Sequence, residues 1–157
     1  MSTFPINLDK VDVEILNYLQ EDGKLTAKNL ADKIGLTQTP VYERIRKLER
    51  LGVIKKYVAI VAPESVGKDL VIFMNLTLRE HGVGKREKFL QDVSDLQEVV
   101  ELYHTSGLYD FMAKVRVEDV HEYRNFLVEK VGKIDNVKDI VSHMVLEELK
   151  HSTKIPI

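Results

Sequence analysis

The strongest constraint in this sequence is a helix-start pattern that occurs three times before residue 42. Asp9, Thr26 and Thr37 are good N-cap residues, and each precedes an amphipathic run. At each start the residue before the cap and the fourth helical residue are both apolar, which forms the hydrophobic-staple pairs Leu8/Val13, Leu25/Leu30 and Leu36/Val41. Glycine, which closes helices in the left-handed conformation, stands where each should end, at Gly23, Gly35 and Gly52. The sequence therefore predicts a three-helix unit from Asp9 to Gly52.

The second and third predicted helices are separated only by Gly35-Leu36-Thr37, the short turn typical of a helix-turn-helix. The third helix, Gln38 to Leu51, has an apolar stripe of Val41, Ile45 and Leu48, which should pack on Ile15, Leu19 and Leu30. Arg44 lies close to this stripe, so we predict a structural role for it. The opposite face presents the polar and charged residues Gln38, Thr39, Tyr42, Glu43, Arg46 and Arg50.

This polar face suits the major groove of DNA. Arginine pairs with guanine, glutamine with adenine and glutamate with cytosine, and threonine contacts the thymine methyl group. Lys47, Lys55 and Lys56 are predicted phosphate contacts, which add affinity and salt sensitivity but no sequence choice. The net charge of -2 conceals a local excess, because residues 37–56 hold six basic and two acidic residues. Since a short basic stretch is often only a solvated helix face, a three-helix domain that never meets DNA is the alternative.

The second half of the chain alternates between strand and helix periodicity in the order βαββαβ. Strands are predicted at Leu70 to Arg79, Glu98 to Thr105, Tyr109 to Val117 and Val137 to Leu149, and helices at Lys85 to Ser94 and Val120 to Val131. Right-handed crossovers place both helices on one side of an antiparallel sheet, a ferredoxin-like arrangement. We therefore predict an α+β chain with a (winged) helix-turn-helix domain at 1–62, which ends in a linker strand from Val53 to Ala62, and a ferredoxin-like domain at 63–157, with a hinge at Pro63 and Gly67.

The predicted sheet is apolar on both faces. Its first strand directs Leu70, Ile72, Met74, Leu76 and Leu78 towards the helices, yet Val71 and Phe73 lie on the other face. The last strand has Val141 and Val145 on one side and Ile140, Met144 and Leu146 on the other. A sheet that helices cover on one face only needs a second protein surface, so we predict a homodimer that packs sheet against sheet. A two-fold dimer would also present two recognition helices to a palindromic DNA site.

The second and third predicted strands are joined by Ser106-Gly107-Leu108-Tyr109-Asp110, a candidate small-molecule site. Glycine leaves backbone N–H groups open to a carboxylate, and Asp110 can pair with an ammonium, so together they fit an amino acid. The alternative is an ordinary hairpin with glycine in its turn, which the spacing alone favours. His104 and His143 lie on predicted strands, where an isolated histidine is usually a packing residue.

Several classes of protein are disfavoured by composition. The 157 residues contain no cysteine, which excludes disulfides, thiolate zinc sites and a cysteine nucleophile. The five histidines show no metal-ligand spacing, so neither a metal site nor another cofactor is expected. No apolar run approaches the length of a membrane span, and the first ten residues lack the apolar stretch of a signal peptide, which makes the cytoplasm the expected location and a membrane partner unexpected.

From about Asp9 to Leu149 the sequence resembles the Lrp/AsnC (feast/famine) family of prokaryotic transcription regulators. The resemblance is carried by Leu8-Asp9-Lys10-Val11-Asp12 with Ile15-Leu16, by Gly35-Leu36-Thr37 followed by Val41, Arg44, Ile45, Leu48, Gly52, Val53 and Ile54, by the Ser106 to Asp110 loop, and by Val145-Leu146-Glu147-Glu148. It implies a helix-turn-helix domain that binds double-stranded DNA, a linker strand and an amino-acid-sensing βαββαβ domain that forms dimers and assemblies up to octamers.

In members of this family the effector sits between dimers. The resemblance assigns the Ser106 to Asp110 loop to the effector loop, and His143, Met144 and Val145 to the terminal strand near that pocket. This sequence departs from the usual pattern at Leu108, where relatives commonly have an acidic or small residue, and at His143, where they have an aromatic or apolar one. The expected mechanism is that an amino acid bound between dimers changes the assembly state and thereby the number of helices that reach DNA.

Two other functions stay open at this point. Some proteins resembling this family are haem-precursor decarboxylases, and His104 and His143 suit such a tetrapyrrole enzyme. Against it, the basic face of the third helix would have no role there, and no paired acid and base stands out, so no catalytic residue is predicted. The other alternative is an architectural DNA binder with no effector, which would show weak sequence preference and no thermal shift with ligands.

Overall fold

The computed structural model of the protein describes residues 6–157, so residues 1–5 of the predicted first domain lie outside it. It divides into two compact units. The first unit contains the described residues up to Ile60 together with Lys150–Ile157, and the second contains Val61–Leu149. Residues 150–157 contact the helical unit, where Lys154 pairs with Glu21 and the Ile155 amide donates to Gln20, while the predicted domain bounds stay a prediction. None of the helices formed by residues 6–157 has the length and apolar character needed to cross a bilayer.

Three helices form the first unit: α1 (Lys10–Glu21), α2 (Ala27–Ile34) and α3 (Gln38–Arg50). Asp9 is the N-cap of α1 and forms a capping box with Asp12. At the start of α2 the Thr26 side chain accepts a hydrogen bond from the Asn29 amide. Thr37 stands at the predicted N-cap of α3, but its side chain makes no capping hydrogen bond. Helix α2 closes at Gly35, whose φ of 77° is the left-handed conformation that glycine adopts without strain.

Two predictions about this unit need correction. Helix α1 ends at Glu21 with an extended Asp22 as its C-cap, so Gly23 does not close it in the left-handed conformation. The segment from Val53 to Ala62, predicted as a strand, belongs to no sheet in the structure. Its alternating apolar residues favour an extended chain, but a strand also needs a neighbouring strand for its backbone hydrogen bonds, and residues 6–157 supply none here.

The core of the first unit confirms the predicted stripe. Val41 and Leu48 of α3 are fully buried with Ile15 and Leu30, while Ile45 and Leu19 pack at the edge of the same cluster. The buried stripe holds α3 against the other two helices by the hydrophobic effect. Its remaining surface is consequently turned away from the core.

The second unit is the predicted βαββαβ domain, built in the order β1 (Leu70–Leu78), α4 (Val83–Ser94), β2 (Val99–His104), β3 (Phe111–Val117), α5 (Val120–Glu129) and β4 (Val137–Met144). The four strands form one antiparallel sheet in the order β2-β3-β1-β4. Phe89 of α4 and Phe126 of α5 are buried with Ile72, Met74 and Leu76 of β1, so both helices cover the same face. We call the other side of the sheet the open face.

Strands β3 and β4 are shorter than predicted, because residues at their predicted ends form contacts outside the sheet. Strand β4 was expected to reach Leu149 but ends at Met144, after which the chain crosses the open face. Glu148 there lies 3.2 Å from Arg116 Nη2 of β3. Strand β3 begins at Phe111 instead of Tyr109, because the preceding residues belong to the loop between β2 and β3. The Glu148–Arg116 ion pair and the loop contacts join residues that are distant in sequence, which is why the alternation of residue types did not predict them.

Candidate DNA-contact helix and effector loop

The outer surface of α3 carries almost all of the predicted DNA contacts in exposed positions. Its exposed members, with one lysine that follows the helix, are Gln38, Thr39, Tyr42, Glu43, Arg46, Arg50 and Lys55. The Arg46 side chain is 64% exposed and forms an ion pair of 3.2 Å with Glu49, one turn further along. Because such an exposed pair contributes little stability, the guanidinium can exchange Glu49 for another acceptor at low cost. The arrangement therefore offers hydrogen-bond donors and acceptors on one face of a helix that its core holds in place.

Arg44 has the structural role that was predicted for it. Its Nη1 lies 2.5 Å from Asp9 Oδ2 and 2.7 Å from Asp12 Oδ1, which ties α3 to the start of α1. Burial alone would raise the pKa of Asp12, but hydrogen bonds from Arg44, Lys47 and the Asp9 amide hold the pKa below its usual value. The same two carboxylates raise the pKa of Arg44, with Asp9 as the larger cause.

Lys47, a predicted phosphate contact, is less exposed than the rest of the set. Its Nζ lies 3.2 Å from Asp12 Oδ2, and its side chain is 41% exposed. Asp12 is part of the motif that carries the family resemblance, but the sequence pattern predicts no role for it. Its position three residues after the Asp9 cap was the available signal, since this is the capping-box position. We call Asp9, Asp12, Arg44 and Lys47 the α1–α3 charge cluster.

The candidate effector loop is a tight connection between β2 and β3. Its ends are joined by the Thr105 amide, which donates to the Asp110 carbonyl at 3.0 Å, and Gly107 adopts a φ of 115° that favours glycine. Asp110 Oδ2 accepts the backbone amide of Leu78 at 2.7 Å, while Oδ1 lies 3.7 Å from His81 Nδ1. One oxygen of Asp110 is thus bonded to the backbone of β1, and the other lies beside the exposed His81. Leu108 at the tip is 90% exposed.

The structure does not bring the two predicted parts of the effector site together within one chain. Asp110 donates its amide to Leu76 near one end of β1, whereas Met144 pairs with Ile72 towards the other end. Four residues of strand separate those positions, which corresponds to about 13 Å. His143 is exposed on the open face, and Val145 lies just beyond β4, where its amide donates to Val71. Within one chain the two parts therefore lie side by side on the sheet and do not form one compact pocket.

Another concave region lies beside the first half of β4. It has a volume of about 450 Å³ and a mixed lining that includes Arg79, Lys133, Lys138, Asp135 and Asp139. No residue of the Ser106 to Asp110 loop lines it.

The two strand histidines do not form a common centre. His104 pairs with Phe111 on the helix-covered side of edge strand β2, and the two rings lie 5.1 Å apart. His143 pairs with Phe73 on the open face of the opposite edge strand. They are therefore separated by two strands and by the thickness of the sheet, so within one chain they cannot act together on one substrate group.

The open face combines apolar side chains with a buried charge. Val71 is buried there, and Phe73 and Val141 are half-buried. Beside them Lys114 is 8% exposed, with its Nζ 3.4 Å from Glu101 and 3.8 Å from Glu148. The sequence pattern predicted the apolar part of this face and missed the charged part, because Lys114 pairs with acidic residues that are distant in sequence.

Both units of the chain match known protein families. Residues 8–55 match the family model of a winged helix-turn-helix DNA-binding domain, and residues 71–155 match the Lrp/AsnC ligand binding domain. The chain is 36% identical over 151 residues to the leucine-responsive regulatory proteins of Escherichia coli K12 and Klebsiella pneumoniae, covering 96% of this chain and 92% of each of theirs.

Solved structures show the same architecture. A transcriptional regulator from Neisseria meningitidis in complex with L-Met matches with a TM-score of 0.92 and 32% identity, covering 96% of this chain and 97% of that one. An AsnC family transcriptional regulator from Agrobacterium tumefaciens matches with a TM-score of 0.91 and 36% identity, with coverages of 95% and 97%.

The fold and these matches define a DNA-binding transcription regulator with a ligand-binding domain. The chain belongs to the Lrp/AsnC family. The predicted architecture and regulatory function are therefore confirmed, and the tetrapyrrole decarboxylase is not favoured.

Proposed function

We propose that the chain reads duplex DNA with the exposed face of α3 and responds to an amino acid held between copies of the chain. The proposed reading of DNA is supported by the division of α3 into a buried apolar stripe and an exposed polar face. Gln38, Thr39, Tyr42, Glu43 and Arg46 contact base edges. The phosphate contacts come from Lys47, Arg50 and Lys55.

Selection from a random-sequence duplex library tests the reading role. The protein should enrich a palindromic site with two half-sites about one helical turn, or a multiple of it, apart, because a two-fold dimer presents two copies of α3. Recovery of sequences without any shared motif would instead support the architectural binder, which uses phosphate contacts alone.

The dimer of this proposal forms through the open face. Phe73 and Val141 are only half-buried on this face, which α4 and α5 leave uncovered, and such a sheet is covered by a second layer in stable folds. Dimers then assemble further, up to an octamer, and this step brings the Ser106 to Asp110 loop of one copy near the His143 to Val145 segment of another. The separation of these segments within one chain supports an effector site shared between copies.

The effector of the proposal is an amino acid. The Asp110 oxygen beside His81 suits an ammonium group, and the backbone around Gly107 suits a carboxylate. The Neisseria meningitidis regulator, crystallised with L-Met, and the leucine-responsive relatives favour this class of ligand. We place this regulator in the cytoplasm and assign it no enzymatic activity, since its relatives are transcription regulators.

A thermal-shift screen against the amino acids tests the effector. A ligand present at one hundred times its dissociation constant should stabilise the protein by ~2.7 kcal/mol. Asp110→Asn is the diagnostic variant, because its side-chain carbonyl can still accept the Leu78 amide while the charge that attracts an ammonium is gone. The shift should disappear in that variant. If every amino acid leaves both melting and light scattering unchanged, the effector proposal is wrong.

A further inference from the structure

Asp12 is a buried carboxylate in the DNA-binding unit that the proposed function leaves without a role. It is 0% exposed, although its helix α1 presents no residue of the proposed DNA face. A charged group out of contact with water is retained at a considerable cost unless it is paired and hydrogen-bonded. Its two oxygens are in fact divided between two cations of α3, with Oδ1 bonded to Arg44 and Oδ2 to Lys47.

The two cations differ in what else they can reach. Arg44 is 30% exposed and bonds Asp9 as well, so both of its ionic partners lie on or next to α1. Lys47 is 41% exposed, and Asp12 is the acidic group that its ammonium contacts in the structure. A lysine ammonium has three N–H donors, so at least one remains for an acceptor on the solvent side. Lys47 is therefore held at its inner side and available at its outer side.

We propose that Asp12 is a positioning residue for DNA binding, which holds the Lys47 ammonium where it meets a backbone phosphate. This rests on the proposed phosphate contact of Lys47. A free lysine side chain loses much rotamer freedom when it is immobilised on a ligand, and a lysine already held by Asp12 loses less. The α1–α3 charge cluster contains two carboxylates and two cations, so it has no net charge to repel the phosphate.

The proposal and simple charge counting predict opposite results for Asp12→Asn. If only charge matters, removal of a carboxylate close to DNA strengthens binding. If Asp12 positions Lys47, the same change weakens binding and also reduces its salt dependence, since one phosphate contact per protomer is impaired. A dimer that engages both copies of α3 then loses two contacts, which lowers the slope of log affinity against log salt by ~1.8 and costs about thirtyfold in affinity at ~0.15 M salt.

The experiment measures fluorescence anisotropy of a labelled, mixed-sequence DNA duplex over a series of salt concentrations. Full-length wild type, Asp12→Asn, Lys47→Met and the double variant are compared. Glu14→Gln is the matched charge control, because Glu14 is an exposed carboxylate on the same helix. Asp12→Asn and Lys47→Met should each lose about thirtyfold in affinity at ~0.15 M salt, and the double variant should lose no more than either one. Glu14→Gln should bind as tightly as the wild type or slightly more tightly.

The results distinguish a failure of the positioning role of Asp12 from a failure of the proposed phosphate contact of Lys47. If Lys47→Met keeps the wild-type slope, Lys47 does not contact phosphate and both proposals about it fail. If Lys47→Met loses slope but Asp12→Asn does not, or if the two losses add in the double variant, only the positioning role is refuted. Should Asp12→Asn fail to fold, ¹⁵N relaxation of lysine ammonium groups in the wild type decides, because Lys47 must be more restricted than exposed Lys28. Equal mobility of the two would overturn the proposal.

Discussion

Arg44→Met is the change that tests most directly how the DNA-binding unit is held together. Methionine keeps the apolar stem of the side chain and removes the guanidinium, which lies 2.5 Å from Asp9 and 2.7 Å from Asp12. The Asp9 side chain is half exposed, so water replaces its lost partner and this bond adds little. Asp12 has no such exposure and keeps only Lys47 as a cation.

The expected loss of stability follows from this difference in exposure between Asp9 and Asp12. Breaking a fully buried ion pair costs ~3–5 kcal/mol, and loss of a hydrogen bond to a charged group costs ~1.5–3 kcal/mol. Arg44 is 30% exposed and Lys47 stays in place, so the smaller range applies and we expect about 2 kcal/mol. For a unit of this size that corresponds to a fall of roughly 10 °C in the midpoint of its unfolding transition.

Differential scanning calorimetry of the full-length protein measures this change. The two units need not unfold together, so the transition of the helical unit must be resolved before a free energy is derived. Arg46→Met is the matched control, because it removes the same group from an exposed position of the same helix and should alter stability by less than ~0.5 kcal/mol. A midpoint for Arg44→Met no lower than that of Arg46→Met would refute the structural role of Arg44.

Three further results are expected. Arg46→Ala should weaken binding to a selected DNA site by about tenfold or more without lowering the melting temperature, and unchanged affinity in a gel-shift titration would assign base reading to other residues. Val141→Lys places a charge on the open face and should convert dimers to monomers in light scattering, whereas Lys138→Ala, at an exposed position of the same strand, should leave the mass unchanged. The pKa of Asp12 is lower in the folded protein than the unfolded value of ~3.9, so the stability that its carboxylate contributes is present above that value and is lost as pH falls through the folded pKa. The free energy of unfolding of Asp12→Asn should therefore depend less on pH in acid than that of the wild type. Identical acid-unfolding profiles would contradict this.

Local patterns predicted the elements of this chain better than they predicted its pairings. Asp9 and Thr26 begin their helices with the expected side-chain hydrogen bonds, since capping involves residues only three positions apart. The segment from Val53 to Ala62 shows the opposite case. Alternating apolar residues favour an extended backbone, but whether such a backbone becomes a strand depends on a partner elsewhere. The same limit explains β4, which stops at Met144 although its apolar pattern continues.

The candidate sites were predictable to different degrees for the same reason. Helical periodicity alone separated the exposed face of α3 from its core. It could not show that Lys47 is bonded to Asp12, because that contact joins residues 35 positions apart on two different helices. The Ser106 to Asp110 loop was predicted from its glycine and its carboxylate, and the His143 to Val145 segment from a family resemblance. Only the strand register shows that the two lie about 13 Å or more apart along the sheet.

Four consecutive residues of α3 show why residue composition cannot identify a DNA-binding surface. Arg44, Ile45, Arg46 and Lys47 point in directions about 100° apart, and they respectively anchor the helix, fill the core, face solvent and bond a carboxylate on another helix. Three of the four are basic, yet only Arg46 carries a cation largely exposed to solvent. Counting positive charges overestimates the cations that DNA can reach, because some are already neutralised inside the unit. The angular position of each cation around the helix, and the carboxylate that it meets there, decides whether it only ties the helices together, as Arg44 does, or also has an outer side that can reach DNA, as Lys47 has.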